Sequence, residues 1–385
     1  MLITLLRNPK VRGFIFQLLT VMGLVAFLWY IGVNTVANIE QRGIQTGFSF
    51  LNGTAGFGID QSPIPYTEED THGRVFLVGL LNTLIIAFAG IILSTLVGVI
   101  IGILRLSKNW LIAKLARGYV DFFRNIPLLL QILFWYNVVL RSMPSPKQSY
   151  NFFDMFFINN RGLYFPLPAY NTTFYTILGG IVVALIATIA LNAWANKRKD
   201  TLGEDFAVIP WAIGMFILFP FIAYFIGGSH LEFSYPELRG FNFKGGKTLS
   251  PEFLALTFAL TIYTATFIAE AVRSGIEAVS HGQKEAAASM GMSHYQSLKL
   301  VILPQAIRIS IPPIINQYLN LIKNSSLATA VGYPEIVTVF AGTSLNQVGQ
   351  AIEIISMTML VYLVISLFVS AILNWFNNKM KIKER

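Results

Sequence analysis

Residues 280–304 have the sequence SHGQKEAAASMGMSHYQSLKLVILP, and this stretch decides how the C-terminal half of the chain is interpreted. It is rich in helix formers but too polar to cross a bilayer, whereas apolar runs of spanning length lie on both sides of it. Pro304 is expected to mark a helix break at its end. The stretch, called the knuckle below, is therefore predicted to be a short helical hairpin outside the membrane, where it can contact another protein.

The ends of the two short helices can be predicted from single residues. Ser280 with Gln283, and Ser293 with Gln296, have the spacing of capping boxes, in which hydroxyl and amide satisfy free backbone N–H groups. Gly291 lies between them and suits the left-handed position that ends a helix. The knuckle is thus predicted to be helix, glycine turn, helix.

The composition identifies an integral membrane protein. The chain has 385 residues, 54% hydrophobic and only 12% charged, which is too apolar for an ordinary soluble surface. It has no cysteine, which excludes disulfides and Cys-ligated metal or Fe–S sites, and its four histidines lack ligand spacing, so no metal site is expected. The eight predicted spans are 14–33, 75–104, 126–140, 174–194, 208–226, 253–272, 306–331 and 352–376.

The basic residues predict the orientation of these spans. With eight crossings and both termini in the cytoplasm, more than twice as many of the 28 Lys and Arg residues fall inside as outside. The net charge of +9 is therefore attributed to the positive-inside rule and not to nucleic-acid binding. The same count places the knuckle in the cytoplasm.

The knuckle also carries a long pattern with strict spacing. Its members are Glu285, Ala286, Ala287, Gly291, Leu303 and Pro304. This pattern resembles the EAA signature of ABC importer permeases, with Val301 where that family usually has isoleucine. The resemblance implies an all-α, type I ABC importer permease fold whose knuckle is the coupling helix that docks on an ATPase subunit. The alternative is a surface helical hairpin that matches by accident.

Four further stretches extend the resemblance. GLLNTL at 79–84, RNIPLLLQ at 124–131, FIAEAVRSGI at 267–276 and KNSSL at 323–327 resemble the polar amino acid branch of these permeases, the histidine/glutamine-type family. The usual member has about five spans. The longer architecture here is similar to one permease subunit of the general L-amino acid transporters.

This resemblance implies a division of the chain. Residues 1–73 would hold an N-terminal span and an external loop, and 74–141 the first part of the permease core. Residues 142–252 would be an insertion with two extra spans. The second part of the core, 253–385, would contain the EAA loop at 280–304.

The resemblance also implies the function and the partners. The chain would be the permease subunit of an amino acid importer in a bacterial inner membrane. It would pass substrate from a periplasmic binding protein to the cytoplasm by alternating access, beside a second permease subunit in a heterodimer and in contact with membrane lipid. No cofactor is expected. ATP would be hydrolysed by a separate ATPase, because the one stretch that resembles a phosphate-binding loop, GFNFKGGKT at 240–248, has Phe241 where that loop needs glycine.

Two other classes of function remain as alternatives. An ion-coupled secondary transporter would need acidic residues within its spans, and Glu270 is almost the only candidate. A membrane enzyme would need a nucleophile with a base, or a metal constellation, and none is evident.

Polar residues on the seventh predicted span are candidates for the substrate pathway. Asn316, Asn320, Lys323 and Asn324 are spaced so that they share one helix face. Polar groups inside a bilayer are costly and usually face a partner or an aqueous path. A cationic lysine beside amides could meet a substrate carboxylate, or the face could pack in a subunit interface. Both interpretations are left open.

One acidic and one basic residue near the end of the sixth span form a second candidate pair. Glu270 and Arg273 are three residues apart, so they can interact on one helix surface. They could form a cytoplasmic gate or contact the substrate. Their position at a helix end favours a structural ion pair.

Overall fold

Long apolar helices make up most of the structure, a computed structural model that describes residues 9–41, 43, 46–204 and 206–380. The helices are α1 (Pro9–Gln41), α2 (His72–Leu104), α3 (Trp110–Asn125), α4 (Leu128–Leu133), α5 (Thr172–Leu202), α6 (Val208–Ile226), α7 (Pro251–Glu277), α8 (His281–Ser289), α9 (His294–Ser297), α10 (Leu303–Asn324), α11 (Leu345–Val348) and α12 (Ala351–Met380). Wider π-helical turns are formed by Phe134–Leu140, Leu298–Ile302 and Val337–Ser344. Among the residues that carry the charge bias, Arg7, Arg42, Lys381, Lys383 and Arg385 lie outside the described part.

The number of spans agrees with the sequence prediction. Within the described residues, seven helices are long and apolar enough to cross a membrane, and eight if a bent pair is counted as one span. That pair is α3 followed by Leu128–Leu140, bent by 101°. The bend lies at Ile126 and Pro127, because proline lacks the N–H that would continue the helix and disfavours helical geometry in the residue before it.

Contacts divide the chain into two compact units, residues 1–117 with 264–385, and residues 118–263. In the first unit, α2 and α7 approach closely through two glycines of α2. A Cβ atom on Gly98 would lie 2.6 Å from the Cβ of Ile268, and one on Gly102 would lie 2.8 Å from the Cβ of Val272. No larger side chain fits this seam without movement of the helices.

The segment between α10 and α12 also belongs to the first unit and packs on α2. A Cβ on Gly79 would lie only 2.8 Å from the Cα of Ile336. Ile336 belongs to a buried cluster with Phe50, Phe340 and Ile354. This packing accounts for a glycine at the start of the GLLNTL stretch.

In the second unit, α5 and α6 form an antiparallel hairpin. Asn171 caps α5 by accepting from the N–H of Phe174 at 2.9 Å, and Gly203 ends it in the left-handed conformation. A Cβ on Gly180 would lie 2.8 Å from the carbonyl oxygen of Phe219, so the two helices are in backbone contact. The hydroxyl of Thr173 donates to the carbonyl of Gly227 at 2.6 Å and closes the hairpin at its other end.

The second unit also contains short strands, which the sequence did not predict. They are β1 (Tyr150–Phe152), β2 (Phe156–Asn159), β3 (Gly162–Phe165), β4 (Leu167–Pro168), β5 (Phe233–Ser234), β6 (Glu237–Arg239), β7 (Asn242–Lys244) and β8 (Lys247–Leu249). All pairings are antiparallel, in the order β1-β2-β3-β8, with β4-β5 and β6-β7 as separate ribbons. Aromatic contacts of Phe243 with Phe157 and Tyr164 hold two of these sheets together. The predicted all-helical architecture therefore describes the spans but not these connections.

Helix α1 packs least within the chain. None of its described residues is buried. Its polar side chains bond to the helix itself: Thr20 donates to the carbonyl of Phe16, Asn34 to that of Tyr30, and Asn38 to that of Asn34, at 2.7 to 2.8 Å. An apolar helix that satisfies its own polar groups suits a lipid environment.

Candidate functional site

The knuckle has the predicted helix, turn, helix geometry. It differs from the prediction at two residues, Ser280 in the first cap and Pro304 at the end. Gly291 has a φ of +72° and follows the end of α8. Ser293 and Gln296 form a complete capping box at α9. The Ser280 side chain makes no capping bond, because its place is taken by a backbone bond from the N–H of Gln283 to the carbonyl of Ser280 at 3.1 Å.

The second helix of the knuckle is continuous with the seventh span, so the predicted break at Pro304 is wrong. Helical geometry runs from His294 to Ala330. The wide turns of Leu298–Ile302 lead into α10, where Pro304 lies in the first turn. The helix accommodates this proline next to the wide turns, because local π-helical adjustments compensate for a missing N–H donor.

A buried apolar cluster connects the knuckle to the helices on either side of it. Val279, Ile302 and Ala306 form this cluster, and Ile276 of α7 packs against it. Ala287 of α8 is also fully buried. The knuckle is therefore held against the ends of α7 and α10 and does not hang freely from them.

The outward surface of the knuckle is partly polar and partly apolar. Glu285 is exposed and lies 2.9 Å from Nδ1 of His281. Met290 and Tyr295 expose 66% and 69% of their surface. In the EAA pattern, Ala287 faces inward, while the exposed residues are Glu285, Ala286, Gly291, Leu303 and Pro304.

The sequence interpretation missed His281, Met290 and Tyr295 as parts of this surface. The available signal for Met290 and Tyr295 was their position close to the turn at Gly291, and for His281 its spacing of four residues from Glu285 on one helix face. Exposed apolar residues in a compact hairpin are typical of a protein contact. The knuckle can therefore provide a docking surface that includes an exposed carboxylate and exposed apolar side chains.

The polar face of α10 lies where the sequence placed it. Asn316, Asn320 and Lys323 are exposed, and Asn324 is half-buried. Among the described residues, the first three have no side-chain hydrogen bond within the chain. These groups are therefore available to a ligand or to a partner helix.

Glu270 and Arg273 are brought together, and the structure adds two residues to the pair. Arg273 Nη2 lies 2.5 Å from one oxygen of Glu270, whose other oxygen is bonded by Arg105, the residue after α2. Arg273 also pairs with Glu277. We call these four residues the α2–α7 ion-pair network. Arg105 is separated from Glu270 by 165 positions, so their contact could not be predicted from the sequence.

A glycine and a serine join α7 to α10 next to this network. A Cβ on Gly275 would lie 1.9 Å from Oγ of Ser310 and 2.7 Å from the carbonyl of Ala306. The Ser310 hydroxyl donates to the carbonyl of Ala271 on α7 at 3.0 Å. This contact leaves no room for a side chain at position 275, which explains the glycine there.

A buried carboxylate that the sequence interpretation overlooked lies between α10 and α12. Glu335 is fully buried, and its two oxygens accept bonds from the N–H groups of Val337 and Thr338, the Thr338 hydroxyl and the Tyr362 hydroxyl, at 2.9 to 3.1 Å. Burial raises the pKa of Glu335, and the four donors oppose that shift only in part. Next to it, Ile336 N–H donates to the Thr83 hydroxyl at 3.1 Å. The carboxylate thus joins the start of the Val337–Ser344 segment to α12, and the Ile336–Thr83 bond joins the same segment to α2.

No metal centre is present among the residues that the structure describes. No group of three or more His, Asp or Glu side chains lies close enough to hold an ion.

Several known proteins are similar to this chain over nearly its full length, and a family model matches a little over half of it. The family described as binding-protein-dependent transport system inner membrane component matches residues 177–382. The permease protein YhdX of Escherichia coli (strain K12) is 48% identical over 378 residues, covering 98% of this chain and 96% of that one. AapQ, a general L-amino acid transport system permease protein of Rhizobium johnstonii, is 46% identical over 98% of this chain and 94% of its own.

Two further matches are more distant. BztB, a glutamate/glutamine/aspartate/asparagine transport system permease protein of Rhodobacter capsulatus, is 39% identical over 99% of this chain and 96% of its own. A solved structure of an amino acid ABC transporter with histidines has a TM-score of 0.48 and 20% identity, covering 80% of this chain and 95% of that one.

Proposed function

The chain belongs to the family of binding-protein-dependent transport system inner membrane components, and from that premise we propose that it is the amino acid permease subunit of an ATP-driven importer. The family resemblance predicted from the EAA pattern is confirmed. The type I permease fold predicted with it is the fold of this family. The ion-coupled secondary transporter finds no support among these relatives.

The knuckle surface is the observation that supports ATP-driven coupling most directly. It combines exposed Glu285 with exposed Met290 and Tyr295 on a hairpin that is buried at its base. Such a surface suits a groove on a separate ATPase, which would hydrolyse the ATP. Closure of the ATPase would then move α7 and α10 together, because the buried base of the knuckle contacts both.

The membrane orientation follows from the charge bias. We place the N- and C-termini and the knuckle in the cytoplasm, and the eight strands on the outer side of a bacterial inner membrane. A periplasmic binding protein would deliver the substrate to that side. Membrane lipid would cover α1, whose described residues are all unburied.

A second permease subunit would complete the pathway, and we propose a heterodimer. The exposed polar face of α10 supports this, because Asn316, Asn320 and Lys323 lack bonding partners among the described residues of the chain. In the assembled transporter, this face would line the path between the two permeases.

The proposed division of the chain has a core with two additions. Residues 74–141 and 253–385 would form the core. Residues 142–252 would be an insertion that holds the α5–α6 hairpin, and residues 1–73 an N-terminal extension.

The relatives suggest the substrate class. AapQ is named for general L-amino acid transport, and BztB for four amino acids that include glutamate and aspartate. We propose that this chain also passes L-amino acids, whose α-carboxylate would meet the ammonium group of Lys323. Glu270 and Arg273 remain candidates for a gate or a substrate contact. Because both oxygens of Glu270 are already bonded by arginines, their geometry favours a structural role.

Reconstitution tests this proposal. The chain is co-expressed with the ATPase, second permease and binding protein of the neighbouring genes, purified in detergent and placed in vesicles. We expect the ATPase to co-purify and the uptake of radiolabelled L-amino acids to require ATP and the binding protein. Uptake that follows an ion gradient without ATP would contradict the proposal.

A substitution at Lys323 tests the pathway. Lys323→Gln should raise the KM for amino acid uptake by roughly 10- to 100-fold, because a hydrogen bond to a charged group contributes about 1.5–3 kcal/mol. Lys323→Arg, which keeps the charge, should retain most of the affinity. Lys108→Gln removes an exposed lysine elsewhere and serves as the control. If the KM is the same in Lys323→Gln and the control, the carboxylate contact is excluded.

A further inference from the structure

The α2–α7 ion-pair network joins two helices at the ends nearest to the knuckle. Arg105 directly follows α2 and exposes only 10% of its side chain, whereas Glu270 lies in the last two turns of α7 and exposes 29%. Arg273 and Glu277 continue the network along α7 towards the knuckle. Two cations and two carboxylates balance, so the cluster carries no net charge.

The bonding of Glu270 is complete within the chain. One oxygen accepts from Arg105 and the other from Arg273 at 2.5 Å, with the Ser274 hydroxyl 3.4 Å from the second oxygen. Both oxygens of Glu270 are thus already bonded by arginines. Partly buried ion pairs often add little net stability, because desolvation offsets their attraction. Their geometry is more informative, since it specifies which two helices are joined.

The network belongs to a continuous series of contacts that starts at the knuckle. Val279, Ile302 and Ala306 join the knuckle to α7 and α10 through Ile276. The Ser310 hydroxyl joins α10 to α7. From α7, the contacts of Gly98 and Gly102 and the Arg105–Glu270 pair reach α2.

The apolar and glycine contacts in this series determine how closely the helices approach, and the ion pair specifies which residues of α2 and α7 lie side by side. A bond from a guanidinium to a carboxylate has a defined geometry on both helices. The end of α2 is therefore joined to α7 at one specific register.

We propose that Arg105 is a positioning residue for energy coupling: through Glu270 it makes the end of α2 move together with α7 and the knuckle. This inference rests on the proposed function, in which an ATPase moves the knuckle. Force would then enter α2 as well as α7 and α10, and the three helices would change orientation as one body. Loss of the pair would leave docking intact and weaken the transfer of motion.

The test uses the complete reconstituted transporter with Arg105→Gln, Glu270→Gln and the double variant. Each single substitution should lower ATP-driven uptake by roughly 2- to 30-fold, the range found for residues that couple distant sites. The double variant should be no worse than the more severe single variant, because both remove the same interaction. ATPase co-purification and the KM for substrate should stay unchanged, while more ATP is hydrolysed per substrate carried. Arg105→Lys should recover part of the uptake.

The control and the contrary results separate this inference from the proposed function. Arg117→Gln removes an exposed arginine of α3 and should leave uptake unaltered. Losses that multiply in the double variant, or a raised KM at an unchanged ATP ratio, would overturn the positioning role. If the wild type is active and the Arg105→Gln variant is equally active, the positioning role is overturned and the proposed function stands. A wild type that shows no ATP-driven uptake would overturn the proposed function, and this inference with it.

Discussion

Glu335→Ala is expected to lower the free energy of unfolding by about 3 kcal/mol or more. The substitution removes the acceptor for the part-buried N–H groups of Val337 and Thr338, and each orphaned donor costs about 1–3 kcal/mol. The Tyr362 hydroxyl also loses its acceptor, so α12 loses a bond to the segment. Glu335→Gln keeps one carbonyl oxygen and should fall between the wild type and alanine. The order of stability of the wild type, Glu335→Gln and Glu335→Ala can be measured from their unfolding midpoints in detergent.

The pH dependence provides a second measurement on the same residue. Because burial raises the folded-state pKa of Glu335, folding favours the neutral carboxyl group. Its contribution is therefore complete below the unfolded pKa of about 4.3 and declines as pH rises through the folded value. The stability of the wild type relative to Glu335→Gln should fall over that window.

The control for Glu335 is an exposed glutamate. Glu237→Ala removes a surface pair with Arg239, 2.9 Å apart, in the β6-β7 ribbon. Such pairs contribute about 0–1 kcal/mol. If Glu335→Ala unfolds no earlier than Glu237→Ala, the buried carboxylate does not hold the segment between α10 and α12.

Gly291→Val is expected to weaken docking of the ATPase by roughly 5- to 150-fold and to lower uptake accordingly. Gly291 has a φ of +72°, and a branched residue there costs about 1–3 kcal/mol. The knuckle would relax by turning α8 relative to α9, and docking would have to restore the strained geometry. The measurement is the amount of ATPase that co-purifies, followed by ATP-driven uptake.

Gly282 offers a closely matched control for this substitution. Both glycines lie on the knuckle, both are exposed, and a Cβ atom would meet nothing within 4 Å at either position. Only Gly291 has a positive φ. Gly282→Val should therefore keep ATPase binding, and equal losses in the two variants would show that added bulk, not backbone geometry, is responsible.

Long-range hydropathy and local turn chemistry could be predicted well from the sequence. The span 208–226 coincides with α6, because apolar residues fill it and polar segments flank it. The Gly291 turn and the Ser293 cap were also predictable, because each depends on a residue's own preferences. The Ser280 cap was not, since a competing backbone bond occupies the same N–H.

Other features depend on contacts that have no local sequence signal. The strands are only two to four residues long, too short to show an alternating pattern. Glu335 lies in a connection with ordinary loop composition, and its burial results from packing on α2 and α12. The sequence shows Arg105 only as a basic residue at a helix end, and its bond to Glu270 depends on the packing of α7 against α2. The candidate residues could therefore be named in advance, but not their bonding partners.

The self-contained bonding of α1 has a consequence for biogenesis. Its Thr20, Asn34 and Asn38 side chains are satisfied within the helix, so none of them needs a neighbour in the hydrocarbon. Insertion of this segment is therefore not required to wait for synthesis of the other helices. A helix of this kind can enter the bilayer on its own and associate with the other helices afterwards.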